Sequence, residues 1–180
     1  TFLVVMNRVA GDLWQQIRIY CPDGDLLREE SSPVHAEITH TMPKTGDYTL
    51  LVGDGFDGAN TGRYNLFAQR LNGPANATPV SFGQTTPGSI TQPAEMDAFT
   101  FSANAGDTVL LGMAKLSGDL WQEIRLYDPD GILLGKDSSP THVEKVYKIP
   151  QSGDYCVLLG DGFDGTNTGN YNLFSQKLNA

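Results

Sequence analysis

Cysteine is scarce in this chain, because only Cys21 and Cys156 occur among its 180 residues. A disulfide framework needs more cysteines than this, so bridges are not expected to hold the fold together. Positive charge is also scarce, since 12 lysines and arginines face 21 aspartates and glutamates, which gives a net charge of -9. Nucleic acid is therefore not an expected partner, because phosphate binding needs a basic surface. Long apolar runs are absent too, and none approaches the roughly 18 residues that a membrane span requires.

Turn-forming residues, by contrast, are abundant. The 20 glycines and 10 prolines stand mostly between short apolar stretches, which favours strands joined by turns over helices. Alternation of apolar and polar residues predicts nine strands within residues 80–178, the first of them at 80–82, and no segment has a helical period. We therefore predict an all-β fold of jelly-roll-like antiparallel β-sandwiches.

An internal repeat organises the chain. A shift of 107 residues aligns 1–72 with 108–179 without a gap, and 42 of the 72 aligned pairs are identical. Residues 80–107, which precede the second copy, have no counterpart before Thr1. We therefore predict two tandem sandwiches. They are an incomplete first copy over 1–72 that lacks its first strands, a linker over 73–79, and a complete copy over 80–180.

The missing strands of the first copy have a physical consequence. A sandwich without them exposes unpaired sheet edges and an open core. Two sources could fill the gap: preceding sequence in a longer tandem array, or strands donated by a neighbouring molecule. The predicted partners are accordingly further copies of the unit, either in one longer chain or through head-to-tail self-association.

The complete copy carries three motifs in a fixed order. They are D-x-F-T-F-x-A-x-A-G-D at 97–107, L-Y-D-P-D-G at 126–131 and G-D-Y at 153–155. With this combination the unit resembles the bacterial pre-peptidase C-terminal domain family, throughout 80–178 and, for the later part of a second copy, over 1–71. The resemblance implies secreted, non-catalytic jelly-roll modules attached to proteases or other exported proteins, some of which bind collagen or calcium. This sequence contains a tandem unit and no protease, so the proteolytic association does not transfer.

A glycine-rich loop at 53–62, repeated at 160–169, concentrates carboxylate and amide oxygens. Calcium prefers such hard oxygen ligands on a backbone that can curl around the ion, so each loop is a candidate Ca²⁺ site. The candidate ligands are Asp54, Asp57 and Asn60 in the first copy and Asp161, Asp164 and Asn167 in the second. The spacing is not that of an EF-hand. The alternative is an ordinary loop in which these side chains bond the local backbone.

A second candidate site lies on the strand predicted over 121–127 and on its counterpart in the first copy. Alternation turns one side of this strand to the core and gives the other side a mixture of aromatic and arginine residues, which are enriched at binding hot spots. The candidate binding or interface residues are Trp14, Arg18, Tyr20, Trp121, Arg125 and Tyr127. Three interpretations stay open: a platform for sugar rings or a polypeptide, an inter-repeat or inter-subunit contact, and simple packing of the tryptophan beneath a loop.

Patterns typical of catalysis are missing from the sequence. His35 and His142 each precede a glutamate by two residues, but one His-x-Glu per copy supplies too few ligands for a catalytic metal. No nucleophile elbow, zinc-protease motif or phosphate-binding loop occurs, so no enzymatic activity is expected. Cys21 and Cys156 are not equivalent in the repeat, and the alternatives for Cys156 are a buried free thiol or a bridge between successive subunits.

Taken together, these features predict a secreted bacterial structural or interaction protein without enzymatic activity, located outside the cell or at its surface. Its tandem modules would build a filament, a surface layer or an adhesin stalk. The alternative is an accessory module of a secreted enzyme that binds carbohydrate or a fibrous protein through the tryptophan and tyrosine face. Beyond further copies of the module, an extracellular polysaccharide or protein is the expected partner, and Ca²⁺ is the one candidate cofactor.

Overall fold

A computed structural model describes residues 1–179. These residues contain fifteen β-strands and no helix, which confirms the predicted all-β fold. No membrane-crossing helix is therefore found among them. The chain divides into two compact units, Thr1–Gln69 and Arg70–Ala180.

The first unit is built of six strands in two sheets of three. Strands β1, β4 and β6 form one sheet in the order β4-β1-β6, and β2, β3 and β5 form the other in the order β3-β2-β5. Apolar residues from both sheets, among them Met6, Ile17 and Ile38, form a buried core between them. The strands are β1 (Phe2–Gly11), β2 (Gln15–Tyr20), β3 (Leu26–Ser32), β4 (His35–His40), β5 (Thr49–Asp54) and β6 (Gly62–Arg70).

The second unit has nine strands in two larger sheets, whose orders are β13-β10-β15-β8 and β12-β11-β14-β9-β7. Its buried core takes Leu111 and Tyr171 from the first sheet and Phe101 and Ile124 from the second, so this unit is a β-sandwich. The strands are β7 (Thr78–Pro79), β8 (Thr85–Ile90), β9 (Met96–Ala103), β10 (Thr108–Gly118), β11 (Gln122–Tyr127), β12 (Leu133–Ser139), β13 (His142–Lys148), β14 (Gly153–Asp161) and β15 (Gly169–Lys177).

Strands β1 to β6 correspond in order to β10 to β15. The register agrees as well, since Met6 faces Ala36 across β1 and β4 while Met113, which lies 107 residues further on, faces Val143 across β10 and β13. Strands β2 and β11 even share a register irregularity at their last residue. Equivalent positions are therefore paired in the same way in both units, and among the described strands only β7, β8 and β9 have no counterpart in the first.

Two local predictions can be compared directly with the structure. The D-P-D-G segment at 128–131 has its proline and glycine where a type I turn favours them, which predicts a turn. The turn forms, because the Gly131 N–H donates to the Asp128 carbonyl at 2.8 Å. The first strand of the second unit lies at Thr78–Pro79 rather than at the predicted 80–82, because these two residues pair in parallel with Phe99 and Thr100 of β9. A proline is tolerated there since β7 is an edge strand.

Candidate functional site

Each glycine-rich loop is organised around one carboxylate. In the first unit, Asp54 Oδ2 accepts from the Gly58 N–H at 2.7 Å and the Asn60 N–H at 3.4 Å. Asp54 Oδ1 accepts from the Trp14 N–H and from Asn60 Nδ2, each at 3.2 Å. Burial acts to raise the pKa of Asp54, but the hydrogen bonds from Asn60, Gly58 and Trp14 outweigh it and lower the pKa. The charged carboxylate therefore holds the loop against Trp14, the residue directly before β2.

The second unit repeats this arrangement at Asp161. Its Oδ1 accepts from the Trp121 N–H at 3.1 Å, and its Oδ2 accepts from the Gly165 N–H at 2.8 Å and the Asn167 N–H at 3.3 Å. Gly165 has φ +77°, and its counterpart Gly58 has φ +79°, a left-handed conformation that residues other than glycine rarely adopt. The loop shape is thus set by one carboxylate and one obligatory glycine per copy.

The remaining candidate carboxylates form tight local turns. Asp57 Oδ1 accepts from the Ala59 N–H at 2.9 Å, and Asp164 Oδ1 accepts from the N–H and hydroxyl of Thr166 at 3.0 and 2.6 Å. These bonds match the alternative in which loop acids bond the nearby backbone. Calcium binding stays a prediction, and an ion at Asp54 or Asp161 would share oxygens that already accept protein N–H groups.

The loops also carry an aromatic pair that sequence reasoning missed. Phe56 stacks on Trp14 with ring centroids 5.4 Å apart, and Phe163 stacks on Trp121 at 5.5 Å. The tryptophans are half-buried, but the phenylalanines are 69% and 66% exposed. The available signal was the phenylalanine inside each G-D-G-F-D-G loop. Because the carboxylate ties that loop to the tryptophan's own backbone, the two rings come together.

The predicted aromatic and arginine face differs between the units. On β2, half-buried Arg18 donates to Glu29 of β3 at 2.9 Å. On β11, Arg125 and Tyr127 are buried, and Arg125 forms an ion pair with Glu123 on the same strand. Of the three interpretations of this face, an accessible platform does not fit the buried side chains of Arg125 and Tyr127. Both sides of β11 are covered, and the neighbouring carboxylate makes burial of the arginine tolerable.

Of the other residues in the predicted face, Tyr20 and Trp121 are half-buried. An interface role for these residues and for Trp14 stays a prediction. Neither histidine of the repeat forms a metal-ligand cluster among the described residues. His35 Nε2 lies 3.9 Å from a Glu37 oxygen, and His142 is exposed.

Both cysteines are free and buried, and burial raises the pKa of the Cys156 thiol to about 12. Cys21 lies with Asp23 and Asp25 in a group whose ligand atoms are all within 4.8 Å of one another. Lys44 pairs with Asp23 there and balances part of the negative charge.

The widest structural difference between the units lies at β5 and β6. In the second unit, β9 pairs with β14 and β8 pairs with β15, whereas no described strand takes these places beside β5 and β6. Tyr64 and Leu66 on β6 are 42% and 43% exposed, but their counterparts Tyr171 and Leu173 are 0% and 1% exposed. Among the described residues, Tyr64 and Leu66 are thus accessible where their counterparts lie in the core.

Comparison with known proteins gives likenesses of fold only. No family model matches this chain, and no curated protein matches it. Among solved structures, the pre-peptidase C-terminal domain of a Bacillus anthracis collagenase aligns with a TM-score of 0.48 and 16% identity, over 56% of this chain and 95% of that one. The lysozyme inhibitor PliG of Aeromonas hydrophila, a periplasmic protein, aligns with a TM-score of 0.45 and 17% identity, also over 56% and 95%.

The PliG protein of Salmonella Typhimurium aligns with a TM-score of 0.41 and 17% identity, over 56% of this chain and 97% of its own. No residue role is transferred from these structures. Membership of the pre-peptidase C-terminal family stays a prediction that rests on the sequence motifs.

Proposed function

We propose that this chain is part of a secreted, non-catalytic bacterial protein whose tandem β-sandwich modules associate to form a filament, a surface layer or an adhesin stalk. One observation carries this proposal: the two units repeat one arrangement of six strands, with the same order and register, along a single chain. Stacked repeats extend a chain while each unit buries its own core, and exposed apolar side chains such as Leu66 offer a contact surface for another molecule. The extracellular location rests on the resemblance of the motifs to an exported family.

The proposal is tested by sedimentation velocity of the full chain over a wide concentration range, with electron microscopy of the most concentrated samples. We expect elongated species that grow with concentration. Leu66→Lys should weaken the association, because it replaces an exposed apolar side chain of β6 by a charged one. Val34→Lys is the matched control, since Val34 is an exposed valine between β3 and β4. A chain that stays monomeric throughout, or an equal effect of both variants, would contradict the proposal.

The stacked aromatic pairs favour a second candidate function, in which the loops bind carbohydrate. Phe56 and Phe163 are exposed in equivalent positions, and aromatic rings provide apolar faces for ligands. Affinity electrophoresis in gels that contain polysaccharides would show a retarded chain, and the double variant Phe56→Ala and Phe163→Ala should abolish the retardation. Unchanged mobility in a broad set of polysaccharides would exclude this second function.

A further inference from the structure

Hydrogen bonds between loops gather three chain segments at one end of the second unit. The Asp119 N–H donates to the Thr168 carbonyl at 3.0 Å, and the Ala94 N–H donates to the Gly165 carbonyl at 2.9 Å. With the strand ends that adjoin them, these segments are 91–95, 119–121 and 161–168, and the equivalent segments of the first unit are 12–14 and 54–61. We call this loop surface the aromatic end of each unit, because it carries the stacked phenylalanine and tryptophan.

The phenylalanine of each aromatic end is exposed but oriented. Phe163 stacks on half-buried Trp121 with an angle of 24° between the ring planes, and Phe56 stacks on Trp14 with an angle of 22°. Both phenylalanines are largely exposed, although only the second unit contains β8 and β9. Their exposure therefore belongs to the loop itself. An aromatic ring that is oriented in advance loses little entropy when it binds a ligand.

The aromatic ends are negatively charged. Asp119 Oδ1 accepts from the Thr168 N–H at 2.9 Å, and its counterpart Asp12 accepts from the Thr61 N–H at 2.9 Å, so these carboxylates are held against the loops. The segments contain no lysine or arginine, and their acids are Asp12, Asp54, Asp57, Glu95, Asp119, Asp161 and Asp164. An exposed aromatic ring among carboxylates attracts a ligand that combines an apolar face with a positive charge.

We propose that each aromatic end binds a sugar unit with a protonated amine, so that the ligand of this chain is a polysaccharide of amino sugars. This inference rests on the second candidate function and names the class of carbohydrate. The apolar face of the sugar ring packs on the phenylalanine, while its ammonium group interacts with the ring face and the carboxylates. Anionic polysaccharides are disfavoured by the net charge of -9. A second site on the same chain raises the apparent affinity for a ligand that repeats one group.

The test uses the full chain and two soluble ligands that differ only in charge: oligomers of glucosamine, and the same oligomers with acetylated amines. Isothermal titration calorimetry at mildly acidic pH, with a chelator present, measures the binding. We expect the charged oligomer to bind about tenfold more tightly, and added salt should reduce this difference. Equal affinity for the two oligomers would overturn recognition of the amine and leave carbohydrate binding standing.

Charge variants of the chain locate the site. The double variant Asp57→Asn and Asp164→Asn should weaken binding of the charged oligomer by about fivefold, while each asparagine keeps an oxygen that accepts the loop N–H. The matched control is Asp47→Asn with Asp154→Asn, which removes the same charge from two exposed residues near the starts of β5 and β14. Equal losses in the two double variants would mean that only net charge matters and would overturn the site.

The aromatic rings are tested in the same way. The double variant Phe56→Ala and Phe163→Ala should weaken binding of the charged oligomer by about thirtyfold, as for other hot-spot aromatics. Circular dichroism confirms that every variant is folded before its affinity is measured. Unchanged affinity of this variant would overturn the proposal, because the ring would then not contact the sugar.

A lysine oligomer separates recognition of the sugar from attraction to charge. We expect it to bind more weakly than the glucosamine oligomer, because it presents no sugar ring to the phenylalanine. Equal affinity for both would assign the site to basic polypeptides and overturn the sugar as its ligand. Failure of both glucosamine oligomers to bind would overturn this inference together with the second candidate function. The sedimentation experiment tests assembly of the chain independently of either result.

Discussion

The two units contain the same tyrosine and leucine on their last strands, yet these residues have opposite environments. Tyr171 and Leu173 are completely buried, while Tyr64 and Leu66 are more than two-fifths exposed. The residue types agree, and β6 lies beside β1 as β15 lies beside β10, so the difference in burial accompanies the presence of β8 and β9 in the second unit. In a β-sandwich, the burial of an outer strand is thus a property of its neighbour rather than of its own sequence.

The largest expected difference between the two units comes from replacing each tyrosine by alanine in separate variants. Tyr171→Ala should lower the free energy of unfolding of the second unit by about 3 to 5 kcal/mol, as for other buried aromatics. Tyr64→Ala should cost the first unit less than about 1 kcal/mol, as for surface residues. Urea unfolding followed by hydrogen exchange of each unit measures both. Equal losses would mean that the first unit buries Tyr64 in solution.

Calcium should affect the thermal stability of both units alike, because both carry the glycine-rich loop. If each loop binds the ion, saturation at one hundred times the dissociation constant should stabilise that unit by about 2.7 kcal/mol. A thermal melt with chelator against added Ca²⁺ measures the shift, and Asp57→Ala and Asp164→Ala should each remove it from one unit only. An unchanged midpoint in both units would remove calcium as a cofactor.

The loop carboxylate gives the next largest expected effect. Asp161→Asn keeps the shape but removes the charge that accepts N–H groups from Trp121, Gly165 and Asn167, so we expect a loss of about 2 kcal/mol. The stacked Trp121 ring should also become more mobile, which tryptophan fluorescence anisotropy would detect. Asp119→Asn is a related control, because the side chain of Asp119 accepts one N–H of the loop, that of Thr168, at 2.9 Å. Equal effects of the two substitutions would contradict a central role of Asp161.

A smaller difference concerns the buried glutamines. Neither Nε2 nor Oε1 of Gln15 has a hydrogen-bond partner among the described residues. In contrast, Nε2 of its counterpart Gln122 donates to the Thr141 carbonyl at 2.9 Å. Gln15→Met should therefore stabilise the first unit by about 1 kcal/mol, since it removes an unsatisfied polar group. Gln122→Met should be neutral or destabilising for the second unit, and denaturant titration of the two variants tests the difference in sign.

The smallest effect is a labelling rate rather than a change in stability. Because burial raises the pKa of the Cys156 thiol to about 12, its reactive thiolate is rare at mildly alkaline pH. Mass spectrometry should find Cys156 unmodified by iodoacetamide in the native chain and labelled after denaturation. Labelling should become faster in the Tyr171→Ala variant, because the second unit then opens more often. Rapid labelling of the native chain would contradict the burial of this strand.

Much of the fold could be predicted because its determinants are local. Alternation located the strands, and the turn at 128–131 followed from its proline and glycine. The burial of Arg125 and Tyr127 could not be predicted, since alternation shows that a strand has two sides but not what covers the second. The contact of Phe56 with Trp14 was also hidden, because it depends on hydrogen bonds between residues about 40 positions apart.

The two-residue strand β7 has a mechanical consequence. It attaches the start of the second unit to β9 through parallel pairing at Thr78 and Pro79, supported by the Val80 N–H bond to the Thr100 carbonyl at 2.8 Å. Since Pro79 has no N–H, β7 can donate fewer backbone hydrogen bonds to β9 than another two-residue strand could. Under tension on the chain, β7 should detach before any long antiparallel strand. Each residue released then adds about 3.5 Å of length. The chain therefore lengthens slightly at β7 while the sandwich stays folded.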